Sequence, residues 1–365
     1  MPLTTQCGGS RDLFIGVDTH KKTHTFVGIN DHGQTCGTRS VANSPQGWAT
    51  ALRWAREHDD ECCWGIENTG SLGKGFAQFL LAHGETDVRE VSPQRTAQYR
   101  RRGRTQDKTD TTDARAIARL LRAEGKQLPL VQADDASTER RLLSDHRDNL
   151  VAERTRLVNQ LHAQMLQIDP CYAERSGALT SRTGVRYCRD LELADADGVL
   201  QTRLLIVRQL TNQLLRLWEE IEIIETTLRQ RVAATGTPLL QLCGVGTIVA
   251  ARLIGELGCV PRIHSAAALA SLAGIAPVAV SSGGRHGYRL NRGGNRQLNR
   301  VFHMIALSQL RREPLAQAYY AKKRAEGKTA RSALRCLKRR LVDVVYRLLP
   351  TNKPAVLELS MRSAA

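Results

Sequence analysis

The chain has 365 residues, with 53 lysines and arginines against 36 aspartates and glutamates, and its formal net charge is +17 at pH 7. This length allows two or three domains with real cores, and the charge favours a polyanionic partner, nucleic acid above all. No apolar run approaches the roughly 20 residues of a membrane-spanning helix, and the N-terminus lacks the layout of a signal peptide. We therefore expect a cytoplasmic protein without a membrane partner.

Residues 12–128 predict an α/β domain with a mixed sheet. The runs DLFIGVD, HTFVGINDHGQ and TCGTRSVAN have strand patterns and predict an antiparallel meander. SPQGWATALRWAREH combines a serine cap, a proline in the first turn and helical apolar spacing. ECCWGIE and DVREVS predict two later strands, with helices between and after them.

The cysteines and histidines lack the spacing of a metal site. The nine cysteines include no CxxC pair and no Cys/His cluster of zinc spacing, and Cys62 and Cys63 lie in an apolar run, where buried thiols are common. His20 and His24 could form a metal pair, but THKKTH has the pattern of a strand and a turn. We expect inert thiols and solvated imidazoles.

Residues 134–232 have the pattern of long helices. An a/d seam with spacings of 3 and 4 is sustained over three heptads, at Val207, Leu210, Leu214, Leu217, Ile221, Ile224 and Leu228. A rougher apolar seam lies upstream, and Pro170 with the Gly/Asp-rich stretch 177–198 separates the two. The segment predicts an antiparallel helical hairpin or an oligomerising coiled coil, with an ordinary bundle within one chain as the alternative.

Residues 236–350 predict a compact helical domain. LLQLCGVGTIVAARLIGELG has the order helix, GVG turn, helix, which is typical of a helix-hairpin-helix, and glycine amides at such a turn can bind phosphate. The stretch from Arg285 to Arg347 contains 17 lysines and arginines against three acidic residues. We expect this domain to contact nucleic acid, with an affinity that falls steeply as salt rises.

Four acidic residues are candidate ligands of a divalent cation. Asp18 ends the first strand, Glu67 follows the CCWGI strand, and Asp110 and Asp113 lie three apart at the start of a helix, on one face. Carboxylates converging over a sheet edge suit Mg²⁺ or Mn²⁺, which polarises a scissile phosphate. The alternative for the last two is a helix cap by Asp110 with Asp113 in the first turn.

The arginine run QYRRRGR precedes the helix that carries two of these acids. We expect the cation and the flanking basic side chains to bind the phosphate together. The candidate nucleic-acid contacts in the whole chain are Arg100, Arg101, Arg102, Arg104, Lys108, Arg285, Arg289, Arg292, Arg296 and Arg300.

Several motifs, in order, resemble one family. DLFIGVDTHKKTH, GIENTGSLG and KTDTTDARAIARLL resemble the three blocks of the DEDD-type insertion-sequence transposases, which are related to the Piv invertases. LCGVGTIVAARLIGELG and ALASLAGIAPVAVSSGGRHGYRLNRGGNRQLNR are similar to the C-terminal part of that family. The resemblance covers roughly residues 12–128 and 236–310.

The resemblance implies a RuvC-like, RNase H-type fold for residues 12–128, with Asp18, Glu67, Asp110 and Asp113 as metal ligands. It implies a DNA-attacking serine in a Ser-Gly context, matching Ser282, which forms a covalent phosphoserine link during strand exchange. It also implies a structured bridge RNA that pairs with donor and target DNA, a homo-oligomer (dimer or tetramer), and a location at the bacterial nucleoid.

The residues themselves leave part of this open. SSGGRHG offers Ser281 as well as Ser282, a Ser-Gly pair is usually a turn, and a serine hydroxyl needs a base or a metal to activate it. The family often closes its last motif with Gly-Asn-x-x-Leu-Arg, whereas GNRQLNR has Asn299 before Arg300. Which arginine contacts nucleic acid is therefore open.

Three other functions compete with recombination. FIGVDTHKKTHTFVGINDHG also resembles the first hairpin of actin-like sugar kinases, but a kinase does not need the basic C-terminus and no Gly-rich adenosine loop follows. A non-catalytic nucleic-acid-binding protein leaves the four acids without a role. A RuvC-like nuclease would use the acids and water, without a covalent intermediate, and the separate serine-bearing domain distinguishes a recombinase from it.

Overall fold

The computed structural model describes residues 13–101, 109–193, 197–258, 263–282, 285–291 and 293–349. The chain divides into two compact units, Met1–Asp134 and Asp135–Ala365. The first is a mixed α/β unit and the second is mostly helical. The predicted division of the second unit into a middle and a C-terminal domain stays a prediction.

The described part of the first unit contains one five-stranded sheet. Its strands are Leu13–Thr19 (β1), Thr23–Ile29 (β2), Thr35–Ala42 (β3), Cys62–Glu67 (β4) and Val88–Val91 (β5). The order is β3-β2-β1-β4-β5. The first three strands form the predicted antiparallel meander, and β4 and β5 continue the sheet in parallel. The mixed sheet expected from the sequence is confirmed.

Helices cover this sheet, and their described members are Pro45–Arg56 (α1), Lys74–Ala82 (α2), Pro93–Arg101 (α3) and Asp110–Glu124 (α4). α1 begins as predicted, because the Ser44 hydroxyl accepts a hydrogen bond from the Gly47 amide at 3.2 Å and proline occupies the first turn. Phe26, Trp64 and Phe76 are fully buried and pack edge to face, which anchors the core between sheet and helices.

Gly16 in β1 allows α4 to lie directly on the sheet. A Cβ at this position would be 2.0 Å from the carbonyl oxygen of Ala114 and 2.4 Å from the amide nitrogen of Ala118, both in α4. Any larger residue would push the helix away. This close approach brings the first turn of α4, with its two acids, to the end of β1.

The described elements of the second unit are the helices Ala136–Ile168 (α5), Tyr172–Ser176 (α6), Arg182–Arg189 (α7), Gly198–Ala233 (α8), Thr247–Leu257 (α9), Ala266–Leu272 (α10), Arg296–Arg312 (α11), Pro314–Ala325 (α12) and Ala330–Leu348 (α13), with the strands Pro277–Ser282 (β6) and Arg285–Leu290 (β7). The two strands pair antiparallel as a hairpin.

The long helices α5 and α8 form the predicted antiparallel hairpin. Arg147 near the start of α5 pairs with Glu225 near the end of α8 at 2.7 Å, and Arg203 donates to Gln164 at 2.9 Å in the opposite pairing of ends. The heptad positions 207, 214, 221 and 228 are buried within the chain. Their seam therefore packs intramolecularly, and oligomerisation through a coiled coil stays a prediction.

Two expectations for the C-terminal region are wrong. The first helix of the predicted helix-hairpin-helix is only a 3-10 turn, Pro238–Gln241, and Gly244, with φ of +88°, stops the chain from continuing as a helix. The expected all-helical domain also contains the β6–β7 hairpin, which the β-branched Val278 and Val280 favour. Ser281 and Ser282 thus belong to a strand.

Candidate metal centre

Asp18 and Glu67 lie at matching ends of neighbouring parallel strands. In the β1–β4 register Val17 pairs with Ile66, so the two acids follow side by side. Both are buried, with Asp18 at 6% and Glu67 at 9% exposure. The hydroxyl of Thr19 donates to the backbone carbonyl of Glu67 at 3.1 Å. This bond ties the two strand ends together directly beside the carboxylates.

The start of α4 adds two more acids, and neither caps the helix. Thr109 is the cap, since its hydroxyl accepts a hydrogen bond from the amide of Thr112 at 3.2 Å. The alternative in which Asp110 caps α4 is therefore wrong. The Asp110 side chain is 56% exposed, whereas the side chain of Asp113 is 13% exposed and pairs with Arg100 of α3.

His20 joins this site, although the sequence pattern indicated a solvated side chain. Its Nε2 atom lies 3.1 Å from an Asp18 carboxylate oxygen and 3.3 Å from one of Asp110. The overlooked signal is the spacing from Asp18, because residues two apart at a strand end point to the same side. The imidazole is half exposed.

His24 contradicts the expected solvation more strongly, because it is fully buried. Its Nδ1 atom lies 3.1 Å from the carbonyl oxygen of Thr23, and its ring packs against Phe76 with 6.0 Å between centroids. Among the described residues its Nε2 atom has no hydrogen-bond partner. Burial lowers the pKa of His24, so the ring is held neutral.

The acids of the site act on one another electrostatically. Burial raises the pKa of Asp18, His20 opposes this, and the charges of Asp113 and Asp110 raise it further. Burial also raises the pKa of Glu67, as does the charge of Asp18, against a hydrogen bond from Thr96. The four predicted acids therefore lie close enough to form one negatively charged site.

This donor set fits a hard divalent cation. Asp18, His20 and Asp110 each offer a ligand atom within 4.8 Å of the others, and Glu67 and Asp113 add charge beside them. Carboxylate oxygens suit Mg²⁺ and Mn²⁺, and Mn²⁺ also accepts imidazole. Burial, and then mutual repulsion, raises the carboxyl pKa values of Asp18 and Glu67, and a bound cation would relieve that repulsion.

The basic residues expected to bind phosphate beside this site have different surroundings. Arg100 is engaged with Asp113, while its neighbour Arg101 is exposed. Three other candidates lie outside the described residues, and these are Arg102, Arg104 and Lys108. Their contacts with nucleic acid stay predictions.

Ser281 and Ser282 end strand β6 of the second unit. In the hairpin register Ser281 pairs with His286, and Ser282 pairs with Arg285 on β7. Ser281 is exposed. Gly283, the other half of the Ser-Gly motif, lies outside the described residues. The backbone register of the hairpin thus places each serine position opposite a basic residue of β7.

The remaining predicted nucleic-acid contacts lie on β7, in α11 and between these two elements. Arg289, Arg296 and Arg300 are exposed, and Arg300 lies 3.4 Å from a carboxylate oxygen of Asp148. Arg292 lies outside the described residues. The exposed side chains agree with the role predicted for them, which stays a prediction.

Comparison with known proteins decides the family. Residues 15–170 match the DEDD transposase model of the IS110 type, and residues 236–321 match that of the transposase IS116/IS110/IS902 family. An uncharacterized protein of insertion element IS116 from Streptomyces clavuligerus is 30% identical, over 92% of this chain and 94% of its own length. The chain belongs to the IS110 family of DEDD transposases. The resemblance seen in the sequence is thereby confirmed.

Other relatives extend over most of the chain. An uncharacterized protein of insertion element IS900 from Mycobacterium paratuberculosis is 27% identical, with 93% of this chain and 96% of the relative covered. A pilin gene-inverting protein from Moraxella lacunata is 24% identical, with 93% and 97% covered. IS110-family membership makes the chain an enzyme that acts on DNA, and the sugar-kinase alternative is wrong.

None of the described helices combines the length and the apolar character that crossing a bilayer requires. Burial raises the pKa of the Cys62 thiol to about 12 and that of Cys188 to about 11. Both thiols are therefore protonated at neutral pH, as expected of inert cysteines.

Proposed function

We propose that this transposase is a Mg²⁺- or Mn²⁺-dependent DNA recombinase that cuts and rejoins strands through a covalent serine–DNA link, guided by a structured bridge RNA. The observation that carries the proposal is the convergence of Asp18, Glu67, Asp110 and Asp113 on one edge of a five-stranded mixed sheet. The strand order, with a meander followed by parallel strands, supports a RuvC-like fold for this unit.

Each residue of the candidate metal centre has its own proposed role. Asp18 and Glu67 would hold a divalent cation from the strand ends, and Asp110, Asp113 and His20 would complete the donor set. When bound, the cation polarises the phosphate and stabilises negative charge in the transition state. Of the two α4 acids, Asp110 has the more exposed side chain, so it would face the DNA. Arg100 orients Asp113 through their ion pair.

Ser282 is the proposed nucleophile. Its hydroxyl oxygen forms a bond to the phosphorus of a DNA phosphodiester, its proton passes to a general base, and the oxygen of the leaving strand departs with a proton. The energy of the broken ester bond is kept in the phosphoserine, so the step needs no high-energy cofactor. A second strand then displaces the serine and restores a phosphodiester.

The oligomer and the guide RNA belong to the same proposal. Acids and serine lie in different units of the chain, more than a hundred residues apart in sequence. A dimer or tetramer can therefore combine acids from one protomer with the serine of another. The excess of basic residues from Arg285 onward supports contact with donor DNA, target DNA and RNA, and a location at the bacterial nucleoid.

The test is a denaturing gel after reaction with labelled DNA, bridge RNA and Mg²⁺. Wild-type protein should form a protein–DNA adduct, and Ser282→Ala should form none while still binding DNA. Ser281→Ala is the matched control, one residue away, and should keep the adduct. An adduct lost only in Ser281→Ala moves the nucleophile by one residue. Strand cutting without any adduct indicates a RuvC-like nuclease that uses water.

A further inference from the structure

A cavity of about 630 Å³ lies inside the second unit, between α11, α13 and the turns around Gly274 and Gly294. Such a volume is in the usual range of small-ligand sites. Its cationic or protonatable lining residues are Arg296, Arg300, His303, Arg335 and Lys338. The described residues that line it include no carboxylate. The cavity therefore offers a concentration of positive charge that its own lining leaves uncompensated.

Lys338 is the buried member of this group. Lys338 is 8% exposed, and its ammonium donates a hydrogen bond to the Oδ1 atom of Asn299 at 2.6 Å. The amide nitrogen of Asn299 donates to the carbonyl oxygens of Ala273 and Gly274, at 2.9 and 3.2 Å. Because these bonds hold the amide nitrogen, the oxygen has to face the lysine. Asn299 thus positions the ammonium at the cavity.

A second buried cation of the same unit shows how unusual this arrangement is. Arg252 is also buried and is neutralised by carboxylates, with Asp148 at 3.0 Å, Glu256 at 3.2 Å and Asp145 closer still. Lys338 has an amide oxygen as its described partner. Burial, and then the charge of Arg335, lowers the pKa of Lys338 to about 8. A buried ammonium without a counter-charge is costly, which points to a ligand that supplies one.

The walls of the cavity are preorganised by two glycine turns and a helix start. A Cβ on Gly294 would be 2.2 Å from the backbone nitrogen of Gly274, so the turns meet backbone to backbone. The Asn295 side chain caps α11 through the amide of Leu298 at 3.0 Å and donates to Glu256 at 2.7 Å. The α11 N-terminus adds its partial positive charge to this wall.

We propose that this cavity binds one phosphodiester of a nucleic-acid strand, with Lys338 as its anchor and Asn299 as the residue that positions Lys338. The inference rests on the proposed function, in which this unit handles nucleic acid. The exposed Arg296 and Arg335 at the cavity suit contacts to neighbouring phosphates of the same strand. A strand phosphate is favoured over a free one because the surrounding sequence is basic well beyond the cavity.

The experiment measures binding of a labelled duplex of the element end and of a matching RNA to the full chain, with EDTA present, as salt is raised. Lys338→Met should bind about 10-fold more weakly, and the slope of log K against log salt should fall by about 1. Lys322→Met is the matched control, an exposed lysine of α12 that does not line the cavity, and should change binding much less. Asn299→Leu, which leaves the charge intact, should also weaken binding.

Stability separates a binding role from a structural one. Lys338→Met removes a buried charge, so urea unfolding of the variant should show equal or greater stability while strand binding falls. Loss of stability together with binding would assign Lys338 to the fold and overturn the site. Equal losses of strand binding in Lys338→Met and Lys322→Met would show that both lysines act only through unspecific charge, which would overturn the proposed site. Unchanged strand binding in Lys338→Met would also overturn the proposed site.

Competition with inorganic phosphate distinguishes the source of the anion. One outcome is that millimolar phosphate stabilises the wild type against urea unfolding while Lys338→Met leaves strand binding unaffected. That combination would indicate a small-anion site and overturn the strand assignment. Because EDTA excludes cleavage, the binding result does not depend on the serine or the metal centre. A wild type that binds strands but forms no adduct refutes the proposed covalent chemistry and leaves this site standing.

Discussion

His20 and Asp18 are joined at the end of β1, with 3.1 Å between the Nε2 atom of the imidazole and a carboxylate oxygen. The same nitrogen lies 3.3 Å from Asp110, so His20 links a strand acid to a helix acid. In the proposed metal centre His20 would therefore either ligate the cation or orient the two acids for it. Both roles lead to the same expectation for its removal.

We expect His20→Ala to lower metal-dependent strand cutting by about 10- to 100-fold, as is typical for residues that orient or complete a metal site. The concentration of Mg²⁺ or Mn²⁺ needed for half-maximal cutting should rise. His32→Ala, in an exposed turn of the same unit, is the control and should behave as wild type. Equal metal requirements in wild type and His20→Ala would remove His20 from the site.

Neutralising Asp18 should abolish strand cutting and stabilise the metal-free protein. The pKa of Asp18 is raised in the fold, so the folded state favours the uncharged side chain more than the unfolded state does. Asp18→Asn should therefore raise the free energy of unfolding at neutral pH by about 0.5–2 kcal/mol, measured by urea denaturation in EDTA. Asp31→Asn, at an exposed turn, should change neither property. A destabilised Asp18→Asn would contradict the repulsion inferred for the site.

His24 should make the first unit sensitive to mild acid. Its pKa is lowered by burial, so the unfolded chain, with a histidine pKa of about 6.5, takes up the proton first. Stability is fully present above that value and falls as the pH decreases toward the folded pKa. The urea midpoint should drop as the pH falls below about 7, and His24→Leu should flatten this dependence. An unchanged slope in His24→Leu would assign the acid sensitivity elsewhere.

Strand binding should weaken as the pH is raised through about 8, the pKa of Lys338. Above that value the ammonium of Lys338 loses its proton, and with it the charge that would attract a phosphate. Anisotropy titrations at constant ionic strength should show this loss for the wild type. Lys338→Arg should keep its affinity in alkali, since guanidinium stays protonated. A pH-independent wild type would argue against an ammonium contact.

The helical hairpin offers a test of internal packing against assembly. Leu214 is fully buried within the chain, whereas Leu205 on the same helix is 56% exposed. Leu214→Ala should lower the free energy of unfolding by about 2–5 kcal/mol, and Leu205→Ala should change it by less than about 0.5 kcal/mol. Light scattering with nucleic acid present then reports assembly. A smaller oligomer in Leu205→Ala, with stability intact, would locate a contact between protomers on this exposed face.

Local pattern in the sequence determined the sheet, the long helices and the positions of the acids. Strand periodicity and turn residues depend on short stretches of sequence. The meander and the heptad seam of α8 could therefore be predicted from those stretches alone. Strand ends place their side chains at a common sheet edge, which put Asp18 and Glu67 together. At Asp110 the local pattern left a capping alternative open, because Thr109 and Asp110 are both good caps, and backbone geometry chose Thr109.

Tertiary structure decided everything that depended on distant partners. His20 became part of the site because the close approach of α4 over Gly16 brings Asp110 to it, and no local pattern encodes that distance. At the cavity of the second unit Asn299 accepts a hydrogen bond from Lys338, 39 positions away, so the unusual asparagine of the GNRQLNR motif finds its partner only after α11 and α13 pack. Local propensity sets which elements form, whereas burial and charge between elements determine what their side chains do.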